Sequence, residues 1–137
     1  MTTEKVIEML QWGIAQENAA ALQYLHHHYR LKGKDQLLYA DYFKKFSVEE
    51  MKHSYEMSER VVVLGGEPTA EIPKFRIGKN LEEMAQIGLE EETDAINHYR
   101  KFIEEIGDFD PTSRMIFEEA LKDEEEHQWT FKQILEK

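Results

Sequence analysis

The sequence carries Glu-x-x-His twice, as Glu50-Met51-Lys52-His53 and as Glu124-Glu125-Glu126-His127. On an α-helix a spacing of three places both side chains on one face, so a carboxylate and an imidazole converge on a common point. Carboxylate oxygen with imidazole nitrogen suits first-row divalent metals. The chain has no Cys, which excludes thiolate iron or zinc sites, disulfides and a thiol nucleophile. Two more carboxylates, Glu17 and Glu92, stand 33 positions before Glu50 and 32 before Glu124. Glu50 and His53 each precede their counterparts by 74 positions, the pattern of one helical hairpin used twice.

Long helices must hold these residues. The first is expected from about Thr3 to Lys32, stopping at Gly33; the second starts after Asp35 as N-cap and ends at Gly65-Gly66. A connection from Glu67 to Lys79 follows, carrying Pro68, Pro73 and Gly78, long enough to cross a bundle from end to end. Asn80 caps a third helix, with Glu83 completing a capping box, and that helix ends near Gly107. Asp110-Pro111 opens a fourth, with no stop signal before Lys137. Each helix is roughly 40 Å long at 1.5 Å per residue. Short links within the pairs and one long link between them specify an all-α fold, a four-helix bundle with one long crossover between helices 2 and 3, as a single domain over 1–137.

At steps of three and four each helix has an apolar seam. The seams run through Leu10, Ile14, Glu17, Ala21, Tyr24 and His28; Tyr39, Phe43, Phe46, Glu50, His53, Met57 and Leu64; Leu81, Ala85, Gly88, Glu92, Ile96, Tyr99 and Ile106; and Phe117, Ala120, Glu124, His127, Phe131 and Ile134. A Glu interrupts each seam at mid-helix, and no Lys or Arg shares the stripes. Unpaired carboxylates in a bundle core cost several kcal/mol each, roughly. Two divalent cations offset the charge of four Glu, and two imidazoles complete the shells. One Glu from each of two helices plus Glu-x-x-His from the other two is the ligand set of di-iron carboxylate bundles. Glu50 and Glu124 are expected to bridge, with Glu17 and His53 finishing one iron and Glu92 and His127 the other. A strict 74-residue repeat selects Glu91 in place of Glu92, whereas the apolar seam selects Glu92.

The formal net charge is −11, from 28 acidic and 17 basic residues. Such a surface attracts cations and repels nucleic acid and anionic lipid. The longest apolar run, Val61 to Leu64, is far below a membrane span, and Met1-Thr2-Thr3-Glu4 has none of the features of a signal peptide, so a cytoplasmic location is expected. Tyr24, seven residues after Glu17 on the same face, is either a core tyrosine with a satisfied hydroxyl or a redox-active phenol beside the metals. In His26-His27-His28, His28 lies eleven residues past Glu17, about 16 Å along the helix, and is excluded from the same site; solvated or interface histidines are expected there, with a secondary metal site as the alternative. Asp123 to Glu126 reads as a solvated face with only Glu124 turned inward, and Glu90-Glu91 reads likewise.

With these motifs placed, the sequence resembles bacterioferritin from about Val6 onward. The likeness is densest in Glu50-Met51-Lys52-His53, Glu59-Arg60 and Leu64-Gly65-Gly66-Glu67-Pro68, and continues in Ile77-Gly78, Glu82-Glu83-Met84 and Asp123-Glu124-Glu125-Glu126-His127. The resemblance implies a ferroxidase site at Glu17, Glu50, His53, Glu92, Glu124 and His127, and it favours Glu92 over Glu91. It implies a site tyrosine at Tyr24, and at Met51 the family's haem-ligating Met. Met51 would point about 100° away from the metal seam; the competing reading is a Met in an apolar subunit contact. One haem or related iron-porphyrin per dimer would follow.

What the resemblance implies in function is iron storage and detoxification: Fe(II) oxidised by O2 or H2O2 at two irons per subunit, Fe(III) stored in a cage. A rubrerythrin-like peroxidase without cage storage is the alternative, although rubrerythrins usually carry a Cys-rich iron module. Two departures stand out. Lys45 occupies the place of the family's inner-surface His. The sequence runs ten residues past His127, where 24-subunit members carry a fifth helix. A homo-oligomeric 12-subunit cage built from two-fold dimers is therefore expected over one of twenty-four.

Overall fold

The computed structural model describes residues 1–136 and contains four helices: α1 (Thr3–Arg30), α2 (Gly33–Val63), α3 (Leu81–Ile106) and α4 (Pro111–Ile134). Lys137, where the sequence left the end of the fourth helix, lies outside the described residues. No described helix is long and apolar enough to cross a membrane.

The helix ends follow the local chemistry in three places and depart from it in one. Thr2 accepts from the Lys5 amide, Asn80 from the Glu83 amide and Asp110 from the Ser113 amide, each satisfying a free N–H of a first turn. Pro111 sits at the first helical position of α4, where a missing N–H costs nothing. Asp35, expected as the N-cap of the second helix, instead lies inside its first turn. The cap is Lys32, in extended conformation and without a side-chain hydrogen bond. Gly33, expected to stop α1, begins α2 at φ +59°, so the chain reverses in two residues. Asp35 then contributes through its charge near the positive end of the helix.

α1 packs mainly on α2, and α3 mainly on α4, giving two hairpins. The crossover runs along α1 and is pinned to it by four side chains in succession. Gln11 bonds the Glu67 carbonyl and the Thr69 amide, Asn18 the Glu71 carbonyl, Gln23 the Arg76 carbonyl, and His27 the Gly78 amide. These side chains supply the partners that an extended backbone cannot find within itself.

The apolar core is divided in two. One cluster gathers Val6, Leu10, Ile14, Met57, Val61, Tyr99, Ile106 and Phe117; the other gathers Tyr24, Phe43, Phe46, Met84, Ala85 and Phe131. Between them, at mid-height, lie buried carboxylates and imidazoles. The seams hold through their middles and loosen at their ends: Tyr39, Leu64, Leu81 and Ile134 are only part-buried, and His27 is buried where His28 was expected. At Gly88 helices α3 and α4 come so close that a Cβ would stand 2.5 Å from the Phe131 ring.

Candidate metal centre

Each helix delivers its mid-seam Glu to one level of the bundle. Glu17, Glu50, Glu92 and Glu124 are all buried, together with His53 and His127. Their donor atoms form two overlapping groups, Glu17–Glu50–His53–Glu124 and Glu50–Glu92–Glu124–His127, within each of which the atoms lie inside 4.8 Å of one another. Glu50 and Glu124 belong to both groups.

The contacts repeat about a pseudo-two-fold axis. His53 Nδ1 lies 2.8 Å from Glu17 Oε2, and His127 Nδ1 lies 2.9 Å from Glu92 Oε2. Tyr99 donates to Glu17 Oε1 over 2.7 Å, and Tyr24 donates to Glu92 Oε1 over 2.9 Å. The outer ring nitrogens donate across to the opposite helix of the pair: His53 Nε2 to Asp123 Oδ2 at 2.7 Å, and His127 Nε2 to Glu49 Oε2 at 3.1 Å. A carboxylate holding the outer N–H of an imidazole turns its other nitrogen inward as a donor to metal.

Electrostatics mark the cluster as unsatisfied. Burial raises the Glu50 carboxyl well above the usual range, and the Glu17 and Glu92 charges add to it. Glu124 is raised in the same way, by burial and then by Glu17, Glu50 and Glu92. Glu92 is raised by burial in spite of His127. Burial opposes charge on His53, yet Glu17, Glu124 and Asp123 outweigh it and hold the imidazolium up to about 10. For His127 burial is likewise outweighed, by Glu92, Glu49 and Glu124, again to about 10. Glu49 itself is lowered, chiefly by the hydrogen bond from His127. All four oxygens of Glu50 and Glu124 are buried without a hydrogen bond. His127 Nδ1 stands 3.4 Å from one oxygen of each. Two carboxylates shared between two ligand groups, with no hydrogen bond at any of their oxygens, fit a pair of divalent cations that both would bridge.

A cavity of about 250 Å³ reaches this level between α1 and α3 beneath the crossover. Glu17, Glu50, Glu92 and Glu124 line its inner end, and Lys74, Arg76, Glu90 and Asp94 are among its other walls.

All six residues expected as ligands therefore meet, and Tyr24 touches the group through Glu92. Met51 does not: it is half exposed on the outer side of α2. Glu92, not Glu91, belongs to the cluster. Glu91 is not the solvated residue expected, because it accepts from Gln23 and pairs with Arg76. Asp123 likewise is more than a solvated acid. His27 is fully buried, contrary to a solvated or interface histidine: its Nε2 accepts from the Gly78 amide, and burial lowers it to about 4. His28 bonds the Ala40 carbonyl. Sequence reasoning missed Tyr99, Asp123 and Glu49. The signal was present, since an acid immediately precedes both Glu50 and Glu124, and a Tyr follows both Glu17 and Glu92 by seven positions.

The ferritin-like domain model matches residues 7–137. Over 125 residues the chain is 34% identical to the bacterioferritin of Streptomyces coelicolor, covering 90% of this chain and 75% of the relative. The Rhodobacter capsulatus bacterioferritin, solved with a metal-free dinuclear site and a haem iron in a crystallographic special position, superposes with a TM-score of 0.88 at 30% identity, over 95% of this chain and 82% of that one. The Desulfovibrio desulfuricans bacterioferritin, whose diiron site was seen in different catalytic states, superposes at 0.89 with 29% identity, over 96% and 78%.

Proposed function

The chain belongs to the bacterioferritin family of ferritin-like proteins, and from that premise we propose that it stores and detoxifies iron, oxidising Fe(II) with O2 or H2O2 at a di-iron site within each subunit. The observation that carries this reading is the pair Glu50 and Glu124, whose four buried oxygens make no hydrogen bond and belong to both ligand groups. Glu17 with His53 and Glu92 with His127 would hold one iron each, and Glu50 and Glu124 would bridge.

Fe(II) is the substrate, and the bound pair supplies two electrons to the oxidant. The protein's residues do the rest. The acidic surface concentrates Fe(II), and the cavity beneath the crossover offers it a path. His53 and His127 give up their Nδ1 protons as metal binds, while Asp123 and Glu49 retain the Nε2 protons. Tyr24 holds Glu92 in place through its hydroxyl and stands close enough to exchange an electron with the site. Flanking apolar clusters keep bulk water from both ends of the pair.

On the outer side of α2, Val48, Met51, Tyr55 and Val62 are exposed, an apolar stripe suited to a subunit contact. Met51 from two subunits would meet there and ligate one haem per dimer through sulfur, as the haem of the Rhodobacter relative supports. Such dimers would assemble into a closed shell, twelve subunits being the proposed number, in the cytoplasm and without nucleic acid or membrane as partner.

The test replaces Glu50 and Glu124 together with Ala. Rapid Fe(II) oxidation should be lost with helical content retained, and the wild type should bind two Fe(II) per chain. Oxidation at the wild-type rate in the double variant overturns the site. Light scattering that finds a monomer or an isolated dimer overturns the cage and leaves the rubrerythrin-like peroxidase. A visible spectrum without a Soret band, or with one unchanged in Met51→Leu, overturns the haem role.

A further inference from the structure

Tyr24 and Tyr99 take equivalent places at the cluster, yet their surroundings differ. Tyr24 is packed among Phe43, Phe46, Phe131 and His127, and none of these rings surrenders an electron as readily as a phenol. Tyr99 instead meets Trp12 edge to face, with ring centroids 6.2 Å apart. Trp12 in turn stacks on His98 at 3.9 Å and 20°, and His98 is more than one-third exposed. Trp12 is itself part-exposed and is a wall of the cavity that leads to the four Glu. An oxidisable chain, phenol to indole, thus connects Glu17 with the surface on the α1–α3 side. The Tyr24 side has no such continuation among these contacts.

We infer that Tyr99 and Trp12 form a one-electron relay from the surface to the di-iron site, an inference that rests on the function proposed above. Reduction of O2 to two H2O takes four electrons and four protons, and two Fe(II) supply only two of the electrons. In the relay Tyr99 gives one electron to the oxidant at the site and its phenolic proton to Glu17 Oε1, the atom it already bonds over 2.7 Å. The neutral phenoxyl is reduced by Trp12, and the proton returns from Glu17 to re-form the phenol. The indole radical cation is reduced by a third Fe(II) at the cavity, which leaves as Fe(III). A second passage with a fourth Fe(II) completes the four electrons, and solvent water supplies the four protons, so four Fe(II) are oxidised per O2 and no H2O2 is released. Tyr99 is thereby a redox-active residue of the site, and Trp12 is the carrier that returns electrons to it.

The relay is tested on the full chain in the Tyr24→Phe background, which removes the other site phenol. After Fe(II) and O2 are mixed, samples frozen at intervals are read by electron paramagnetic resonance, and Fe(II) and O2 consumption and H2O2 are measured alongside. A phenoxyl signal is expected that is lost in Tyr99→Phe and decays more slowly in Trp12→Phe. In both variants consumption should fall from about four Fe(II) per O2 toward about two, with H2O2 appearing. Absence of any radical, or a signal indifferent to both substitutions, overturns the relay while leaving the site intact. If the protein with all ligands present fails to oxidise its first two Fe(II), the function proposed above fails instead. Circular dichroism of each variant confirms the fold, and a ring-deuterated tyrosine label assigns the signal to a phenol.

Discussion

Asp123 of α4 reaches across the bundle to His53 of α2 and holds its Nε2 at 2.7 Å, so that Nδ1 faces Glu17. The contact fixes ring orientation as well as tautomer. Replacing Asp123 with Ala should lower Co(II) or Fe(II) affinity about 10–100-fold without loss of helix. A metal titration followed by absorbance checks it, and unchanged affinity would mean that the imidazole is oriented by packing alone.

The same cluster is a burden to the protein without metal. Glu50 and Glu124 are fully buried and surrounded by like charge. Glu50→Gln/Glu124→Gln should stabilise the metal-free protein by about 1–4 kcal/mol, since replacing buried charges with neutral groups of similar volume removes their desolvation cost. Urea unfolding in the presence of a chelator measures the change. A lower midpoint in the double variant would show that the imidazolium pairs already satisfy the cluster.

Without metal, stability should fall as pH rises. Glu50, Glu92 and Glu124 are raised above 4.5, and His53 and His127 are raised from 6.5 to about 10. In each case the folded state holds protons that the unfolded state has released. The carboxyl contribution is complete below about 4.5, and the imidazole contribution below about 6.5 is lost as pH climbs through about 10. Metal displaces these protons, so metal-loaded protein should show a flatter decline. Thermal unfolding from pH 6 to 10, with and without metal, makes the comparison; a metal-free Tm that rises across this range contradicts the cause assigned.

Much of this site could be read from spacing alone, because it is built from helices. A three-residue step fixes a shared face whatever the tertiary context, which is why Glu50 with His53 and Glu124 with His127 were legible. Glu92 and Glu91 differ by one residue, or about 100° of helix rotation, and the apolar seam selects Glu92, the one that the fold buries beside Glu50, Glu124 and His127. Contacts between helices were less visible. Asp123 and Glu49 lie on outward-tending positions, and only the packing distance between α2 and α4 brings each to the opposite histidine. The start of α2 escaped for a local reason: Asp35 is a good cap, but Gly33 reverses the chain two residues earlier. His27 escaped because its partner, the Gly78 amide, is fifty-one residues away.

At Gly88 the backbone of α3 lies directly against the Phe131 ring of α4. A Cβ there would meet three atoms of the Phe131 ring between 2.5 and 2.9 Å, and that ring is wedged against Tyr24, Phe43 and Phe46. Gly88→Ala should therefore cost about 1–3 kcal/mol in spite of the better helix propensity of Ala. Equilibrium unfolding in urea reads the change, and a stabilised variant would show that Phe131 has room to yield.

The crossover has a consequence for how the halves find one another. Residues on the α1–α2 hairpin supply Glu17, Glu50 and His53, and those on the α3–α4 hairpin supply Glu92, Glu124 and His127, so neither hairpin alone holds a full set for either cation. The tether at 67–79, fastened along α1, keeps the two at the high effective concentration of an intramolecular encounter. Metal capture then tightens a pairing that chain connectivity has already made, and needs no second molecule to supply the missing ligands.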